Sequence, residues 1–219
     1  MSVKLIAVTK PVDETGMREV EQLIAYMARV SNPDNQDNHA TAERLLKYLA
    51  KNRHWSPFEM CNMVLEIKTT RDISRQILRH RSFHFQEFSG RYAQMPSEVI
   101  YREARLQDHD NRQNSLPNDD PHTDLWWHEA QKEVRTTTRH IYEMALHNGI
   151  AKEQARALLP EGLTPTKMYM NGTIRSWMHY TILRRGPETQ KEHRLIAHQC
   201  QDILIEQFPS LETLIKEMD

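Results

Sequence analysis

Apolar and polar positions change period several times along this chain, and each change predicts an element. Residues 3–8 alternate weakly and stop before Pro11, as a first strand does. Over 15–30 the period lengthens, with Val20, Leu23, Ile24, Met27 and Ala28 recurring every three or four positions, which predicts a helix ending at Ser31-Asn32-Pro33. A polar loop over 34–39 leads to a second helix over 40–49, with Ala42, Leu45, Leu46 and Leu49 on one face. His54-Trp55-Ser56-Pro57-Phe58-Glu59 fits neither period, because Pro57 disfavours helix at Ser56, and reads as a structured loop with aromatic anchors. In 62–70, Met63, Leu65 and Ile67 alternate with Val64, Glu66 and Lys68, so a strand is predicted. Asp72 is the expected cap of a short helix over 73–79.

The second half is more helical. Residues 107–124 are almost free of apolar side chains and predict a long surface loop, of the kind that serves as a lid. Thr123 or Asp124 is the expected cap of a helix carrying Trp126, Trp127, Ala130, Val134, Ile141, Met144 and Ala145 as far as Asn148-Gly149. A short helix over 152–159 closes at Pro160-Glu161-Gly162, and 168–170 reads as a strand. Thr173 then caps a helix over 174–184, which Gly186-Pro187 ends, and 188–208 is a last long helix.

Composition narrows the class. At 219 residues, with 38% hydrophobic and 27% charged side chains, the chain can bury one sizeable core, and a single domain over 1–219 is expected. A mean hydropathy of −0.75 is polar for such a protein and suits polar surface buried between subunits. Net charge is −1, so no global field draws the protein to nucleic acid or an anionic membrane, and neither is an expected partner. Two cysteines, Cys61 and Cys200, form no framework, and no signal peptide or membrane-length apolar run is visible; a cytoplasmic location is expected.

Charge is unbalanced locally. Between Arg71 and Arg91 five arginines face only Asp72 and Glu87. Arg79, His80 and Arg81 are consecutive, so they point in different directions whatever the backbone does, as in a strand or helix running out into a site. Arginines at a helix C-terminus have an ordinary role, but Ser89-Gly90-Arg91 adds a close-approach glycine, a hydroxyl and a guanidinium fork, donors that fit phosphate oxygens. Glu87 is an acceptor among donors, suited to a sugar hydroxyl or a heterocycle N–H, or to pairing with Arg91. On a helix, His80, His84 and Glu87 would approximate a two-histidine, one-carboxylate metal site, but the adjacent arginines repel a divalent cation and no metal site is expected. A second constellation comprises Arg156, the run 173–180 with Arg175 and His179 one helical turn apart, and Arg184. Neither cysteine sits where a thiol would be activated, and the glycine-rich dinucleotide, P-loop and GxSxG motifs are absent.

The pattern Arg79-His80-Arg81, seven residues, then Ser89-Gly90-Arg91 resembles the signature of flavin-dependent thymidylate synthases. The resemblance extends through Ala28-Arg29-Val30-Ser31, His54 to Glu59, Gln76, Ala155-Arg156 and Arg175 to Arg184. It implies an α+β fold with a mixed sheet flanked by helices. It further implies FAD as cofactor, NADPH and methylenetetrahydrofolate as co-substrates, methylation of dUMP to dTMP, and a homotetramer with sites between subunits. By the same resemblance Gln76, Arg79, Glu87, Ser89, Gly90, Arg91, Arg156 and Arg184 match dUMP-binding positions, and Ser56, Glu59, Arg79, His80, Arg81, Glu87, Thr173, Arg175 and His179 match flavin-site positions. Arg184 matches the arginine facing uracil, where a permanently charged guanidinium stabilises an anionic ring rather than abstracting a proton. His84, Gln86, Thr173 and Met60 depart from the commoner residues, and Asn171 is an alternative source of the amide that Thr173 lacks. A non-catalytic nucleotide- or RNA-binding module using the 79–91 stretch is the competing expectation.

Overall fold

The computed structural model describes residues 1–217, so residues 218–219 of the expected domain lie outside it. In chain order the elements are β1 (Ser2–Val8), α1 (Val20–Ala28), α2 (Ala42–Lys51), β2 (Asn62–Thr70), α3 (Arg71–Ile77), β3 (Phe83–Glu87), β4 (Arg105–Gln107) and β5 (Ser115–Pro117). There follow α4 (Pro121–His147), α5 (Lys152–Ala155), β6 (Pro165–Thr173), α6 (Ile174–Arg184), α7 (Lys191–Gln207) and α8 (Glu212–Glu217). The α+β architecture is borne out: four strands form a sheet in the order β1-β2-β6-β3, antiparallel at every neighbour, with helices packed against it.

The period-2 pattern of β2 does what it predicts. Met63, Leu65 and Ile67 are fully buried beneath helices, alongside Met168 and Met170 of β6. Ile24 and Leu46 from the first two helices, Trp177 from α6, and Ile196, Cys200 and Leu204 from α7 close the same core. Each such side chain contributes about 1.5–3 kcal/mol through burial. The Trp177 indole N–H donates to the Met63 carbonyl at 2.9 Å, so the largest core residue carries no unsatisfied donor and fixes α6 on β2. At the other edge Phe83 pairs with Gly172, and a Cβ on Gly172 would lie 2.3 Å from the Phe83 ring. Glycine is required there by space, and it lets β3 lie flat on β6.

Several boundaries differ from the sequence expectations. The first helix begins at Val20 rather than 15, because residues 13–15 form a 3-10 turn closed by Gly16 at φ 69° and a Glu19/Gln22 capping box sets the true start. Asp72 is not the cap of α3: the cap position is Thr70, and the Asp72 carboxylate takes an ion pair from Arg102 at 2.8 Å. That helix stops at Ile77, so Arg79 lies in the turn that follows. The loop expected over 107–124 contains β5 and continues β4, which pair as a hairpin, and α4 starts at Pro121. Its cap is Asp120, which accepts from the N–H groups of His122 and Thr123 at 3.1 Å each. The strand expected over 168–170 runs from Pro165 to Thr173, where polar Asn171 and Thr166 hide the alternation. The helix expected over 152–159 keeps α form only to Ala155 and continues as 3-10, and the last long helix begins at Lys191 rather than 188.

Candidate active site

The arginine-rich turn is held from both ends. Ile77 closes α3 and Phe83 opens β3, both buried, so the residues between them turn over the sheet edge. Arg79 and Arg81 are exposed while His80 folds inward, half-buried. Arg184, at the end of α6, donates from Nε to His80 Nε2 at 2.9 Å, and the Tyr180 ring meets the imidazole edge-on at 4.9 Å. An imidazole nitrogen that accepts from a guanidinium carries no proton, so His80 is neutral. Burial, reinforced by the Arg184 charge, lowers its pKa to about 4.

Beneath this pair lies a polar chain that sequence patterns left unread. His193 is fully buried on α7; its Nε2 lies 3.1 Å from the Tyr180 hydroxyl and its Nδ1 3.3 Å from Gln76 Oε1. Gln76 Nε2 donates to Gln190 Oε1 at 2.8 Å, and Gln190 Nε2 donates to Glu192 Oε2 at 2.9 Å. The Glu192 carboxylate is clasped by Arg105 Nη2 at 2.8 Å to both oxygens and by Arg102 Nη1 at 3.0 Å. Burial pushes the Glu192 carboxyl up, but hydrogen bonds from Arg105 and its own backbone, the Arg102 charge and Gln190 hold it below the ordinary range. Burial, then the Arg184 charge, lowers His193 to about 3. One signal for His193 was present in the sequence: it occupies the same face as Ile196, Ala197, Cys200 and Leu204, where a polar residue needs a partner.

A second group gathers Ser89, Gly90, Arg91 and Arg156. A Cβ on Gly90 would stand 2.5 Å from Met95 Sδ and 3.5 Å from Arg156 Cδ, so the backbone there is glycine for space and not for a turn with positive φ. Arg91 is exposed; its N–H donates to Ser89 Oγ at 3.3 Å and its Nε lies 3.6 Å from Glu153. The pairing of Arg91 with Glu87 considered from sequence is therefore replaced. Glu87 Oε1 accepts from Ser74 at 2.8 Å and Thr166 at 2.9 Å.

A third group forms between α6 and the 3-10 turn over 56–59. Arg175 pairs with Glu59, Thr173 caps α6 by accepting from the Ser176 N–H at 3.2 Å, and His179 stands 5.0 Å from the Trp55 ring. Ser56 is exposed beside them in sequence. Asn171 Oδ1 is buried without a hydrogen-bond partner among the described residues. The helical premise of a His80, His84 and Glu87 metal site fails, because residues 83–87 are a strand on which His84 is exposed. A cavity of about 890 Å³, bordered by Arg102, Trp126, Trp127, Leu163 and Gln190, meets the buried chain at Arg102, Arg105 and Gln190 and is lined by none of the site residues expected from sequence. Both thiols are buried, which raises Cys61 to about 11 and Cys200 further, so neither is an activated nucleophile.

An antiparallel sheet whose edge delivers exposed arginines over a neutral histidine, beside a glycine-arginine loop, has the make-up of an anion-binding enzyme. The chain belongs to the family described as thymidylate synthase complementing protein, which it matches over residues 12–210. It is 53% identical over 214 residues to a probable flavin-dependent thymidylate synthase of Paramecium bursaria Chlorella virus 1, covering 96% of this chain and 97% of that one. It is 47% identical over 218 residues to the flavin-dependent thymidylate synthase of a Synechocystis species, covering 99% and 100%. Its fold is similar to that of a UMP/dUMP methylase, PolB of Streptomyces cacaoi, crystallised with 5-Br dUMP, at a TM-score of 0.81 and 23% identity over 95% of this chain and 91% of that one.

Proposed function

We propose that this chain methylates dUMP reductively to dTMP, with methylenetetrahydrofolate as carbon donor and NADPH as reductant. The observation that carries the proposal is the coincidence of near-full-length identity to flavin-dependent thymidylate synthases with the three polar groups around α3, β3 and α6. Bound FAD, reduced by NADPH, supplies the hydride. The donor set fits that cofactor: exposed Arg79 and Arg81 suit a pyrophosphate, and the orphaned Asn171 oxygen has hydrogen-bonding capacity to spare. Ser56, Glu59, His80, Glu87, Thr173, Arg175 and His179 complete the flavin side.

On the substrate side, Ser89, Gly90, Arg91 and Arg156 hold the phosphate of dUMP, where a glycine backbone and guanidinium forks meet a dianion closely. Gln76, Arg79 and Glu87 serve the nucleoside. Arg184 faces the uracil and stabilises negative charge on the ring; its bond to neutral His80 keeps the guanidinium planar to its target without neutralising it. No thiol takes part.

The assembly is a homotetramer with shared sites, in keeping with the exposed Leu125, Trp126, Val134, Ile141 and Met144 of the long α4. One domain, a cytoplasmic location, and no nucleic-acid or membrane partner complete the proposal. Titrating FAD into purified protein, then dUMP, tests it: a bound-flavin spectrum that dUMP perturbs supports shared occupancy. A protein that binds RNA with steep salt dependence and no flavin would favour the binding-module alternative.

A further inference from the structure

The proton directions along the buried chain can be deduced from one end. An ionised carboxylate only accepts. Glu192 is ionised, held by Arg105 and Arg102, so Gln190 must turn its amide nitrogen toward it. The Gln190 oxygen then faces Gln76 and accepts from Gln76 Nε2 at 2.8 Å. This leaves the Gln76 oxygen facing His193 at 3.3 Å, which obliges His193 Nδ1 to carry the ring proton. His193 Nε2 is consequently an acceptor, and the Tyr180 hydroxyl donates to it at 3.1 Å. Tyr180, whose phenol is pushed upward chiefly by burial, retains the proton this requires. Every member has one consistent role, and reversing any one would leave two donors or two acceptors in contact.

We infer that Gln190, Glu192 and His193 are positioning residues that lock the sense of the Gln76 amide and thereby make the pyrimidine site read uracil and reject cytosine. The inference rests on the proposed role of Gln76 at the nucleoside. Arginines suit the phosphate, whereas an amide, with one donor and one acceptor side by side, suits the edge of a neutral base. Gln76 keeps one N–H and one oxygen lone pair beyond the chain. Uracil offers a carbonyl acceptor at C4 beside the N3–H donor; cytosine offers an amino donor beside an N3 acceptor. The two edges are mirror patterns. A freely turning amide satisfies both by a half-turn, and an amide with a fixed sense satisfies only one.

Arg102 and Arg105 give the device its rigidity, since they anchor Glu192 from just before β4 and from its first residue. Arg102 is itself braced by Asp72 at 2.8 Å, one helical turn before Gln76. Arg102 thus holds both the carboxylate that sets the polarity and the helix that carries the amide, and Arg105 secures the carboxylate a second time.

Two measurements test this on the full-length protein reconstituted with FAD. Histidine-selective 15N NMR, with His193→Gln to identify the signal, should show ligand-free His193 as the neutral tautomer protonated at Nδ1 at pH 7. An Nε2–H tautomer or a cation overturns the deduced polarity whatever the protein's activity. Second, the Kd values of dUMP and dCMP are compared in wild type and Gln190→Met, which removes the amide link while leaving Glu192 with its arginines. The dUMP preference should fall about tenfold, one hydrogen bond's worth of discrimination, with KM for dUMP rising and kcat changing less. Unchanged preference in the variant, with selective dUMP binding by wild type, overturns the inference and leaves the proposed function standing. Binding of neither nucleotide by wild type overturns the proposed function, and with it the role in base selection, while the NMR result still decides the polarity of the chain.

Discussion

Lowering pH should destabilise this protein through its two neutral buried-side histidines before any carboxylate matters. His193 has a folded pKa of about 3 and His80 of about 4, both below the 6.5 of a free imidazole. Above about pH 6.5 folded and unfolded chains bind the same number of protons at these sites. As pH falls below that value only the unfolded chain takes them up, so stability is lost progressively towards pH 4 for His80 and pH 3 for His193. A histidine kept fully neutral on folding costs about 2 kcal/mol between pH 7.5 and pH 5. His193 is completely buried and carries that full amount, whereas half-buried His80 is screened by solvent and contributes about half as much. The sum, about 3 kcal/mol, is a sizeable part of a typical folding free energy of about 5–15 kcal/mol. Urea unfolding at a fixed protein concentration, repeated across that range, reads it as a falling midpoint. In His193→Gln the fall should shrink by about 2 kcal/mol, since an amide can donate to Gln76 and accept from Tyr180 without titrating. An identical pH dependence in wild type and variant would refute the neutral, desolvated state of His193.

Other outcomes follow from single contacts. Arg184→Lys should fold with little change in Tm but lose about 100-fold in kcat, because a point charge does not replace a planar fork aimed at the ring; near wild-type turnover would remove Arg184 from the chemistry. Gly172→Ala should cost about 1–3 kcal/mol in chemical denaturation, since the Phe83 ring 2.3 Å away is packed against Trp177 and has nowhere to go. Gly90→Ala meets the more flexible Met95 and should cost less stability while weakening dUMP binding, measured by calorimetry. Cys61 and Cys200 should resist a thiol reagent in the native protein at pH 8, and Cys61→Ala should keep its turnover; rapid labelling with parallel loss of activity would reopen a thiol mechanism.

How much of this was legible beforehand follows from the range of the interactions involved. Period-2 alternation in β2, the 3.6-period face of α2, and the Thr173 cap and Gly186-Pro187 stop that bracket α6 are local signals that tertiary packing reinforces, and they predicted elements close to those observed. The β4–β5 hairpin was hidden because it is short and polar, with Leu106 and Leu116 exposed, so no alternation marks it. Strand β6 was underestimated because its last turns carry Asn171, Gly172 and Thr173 where a core strand would carry apolar residues, and Gly172 is there to admit Phe83. For the site, arginine density between Arg71 and Arg91 singled out the turn between α3 and β3, in which Arg79 and Arg81 are exposed and His80 folds inward. The buried chain from Tyr180 to Glu192 could not be read from spacing, because its members come from α3, α6 and α7 and meet only after the sheet and helices have packed. His193 alone left a trace, a polar residue on an otherwise apolar helix face.

The central claim is the conversion of dUMP to dTMP by this chain with flavin. The measurement that tests it most directly is a single-turnover reaction under anaerobic conditions: protein reconstituted with FAD and reduced by NADPH, mixed with dUMP and methylenetetrahydrofolate labelled in the methylene carbon, and quenched for chromatography. Label appearing in dTMP, in step with return of the oxidised flavin absorbance and abolished when FAD is withheld, is the expected result. Flavin that binds and is reduced while dUMP is recovered unchanged and no label enters a pyrimidine would contradict it.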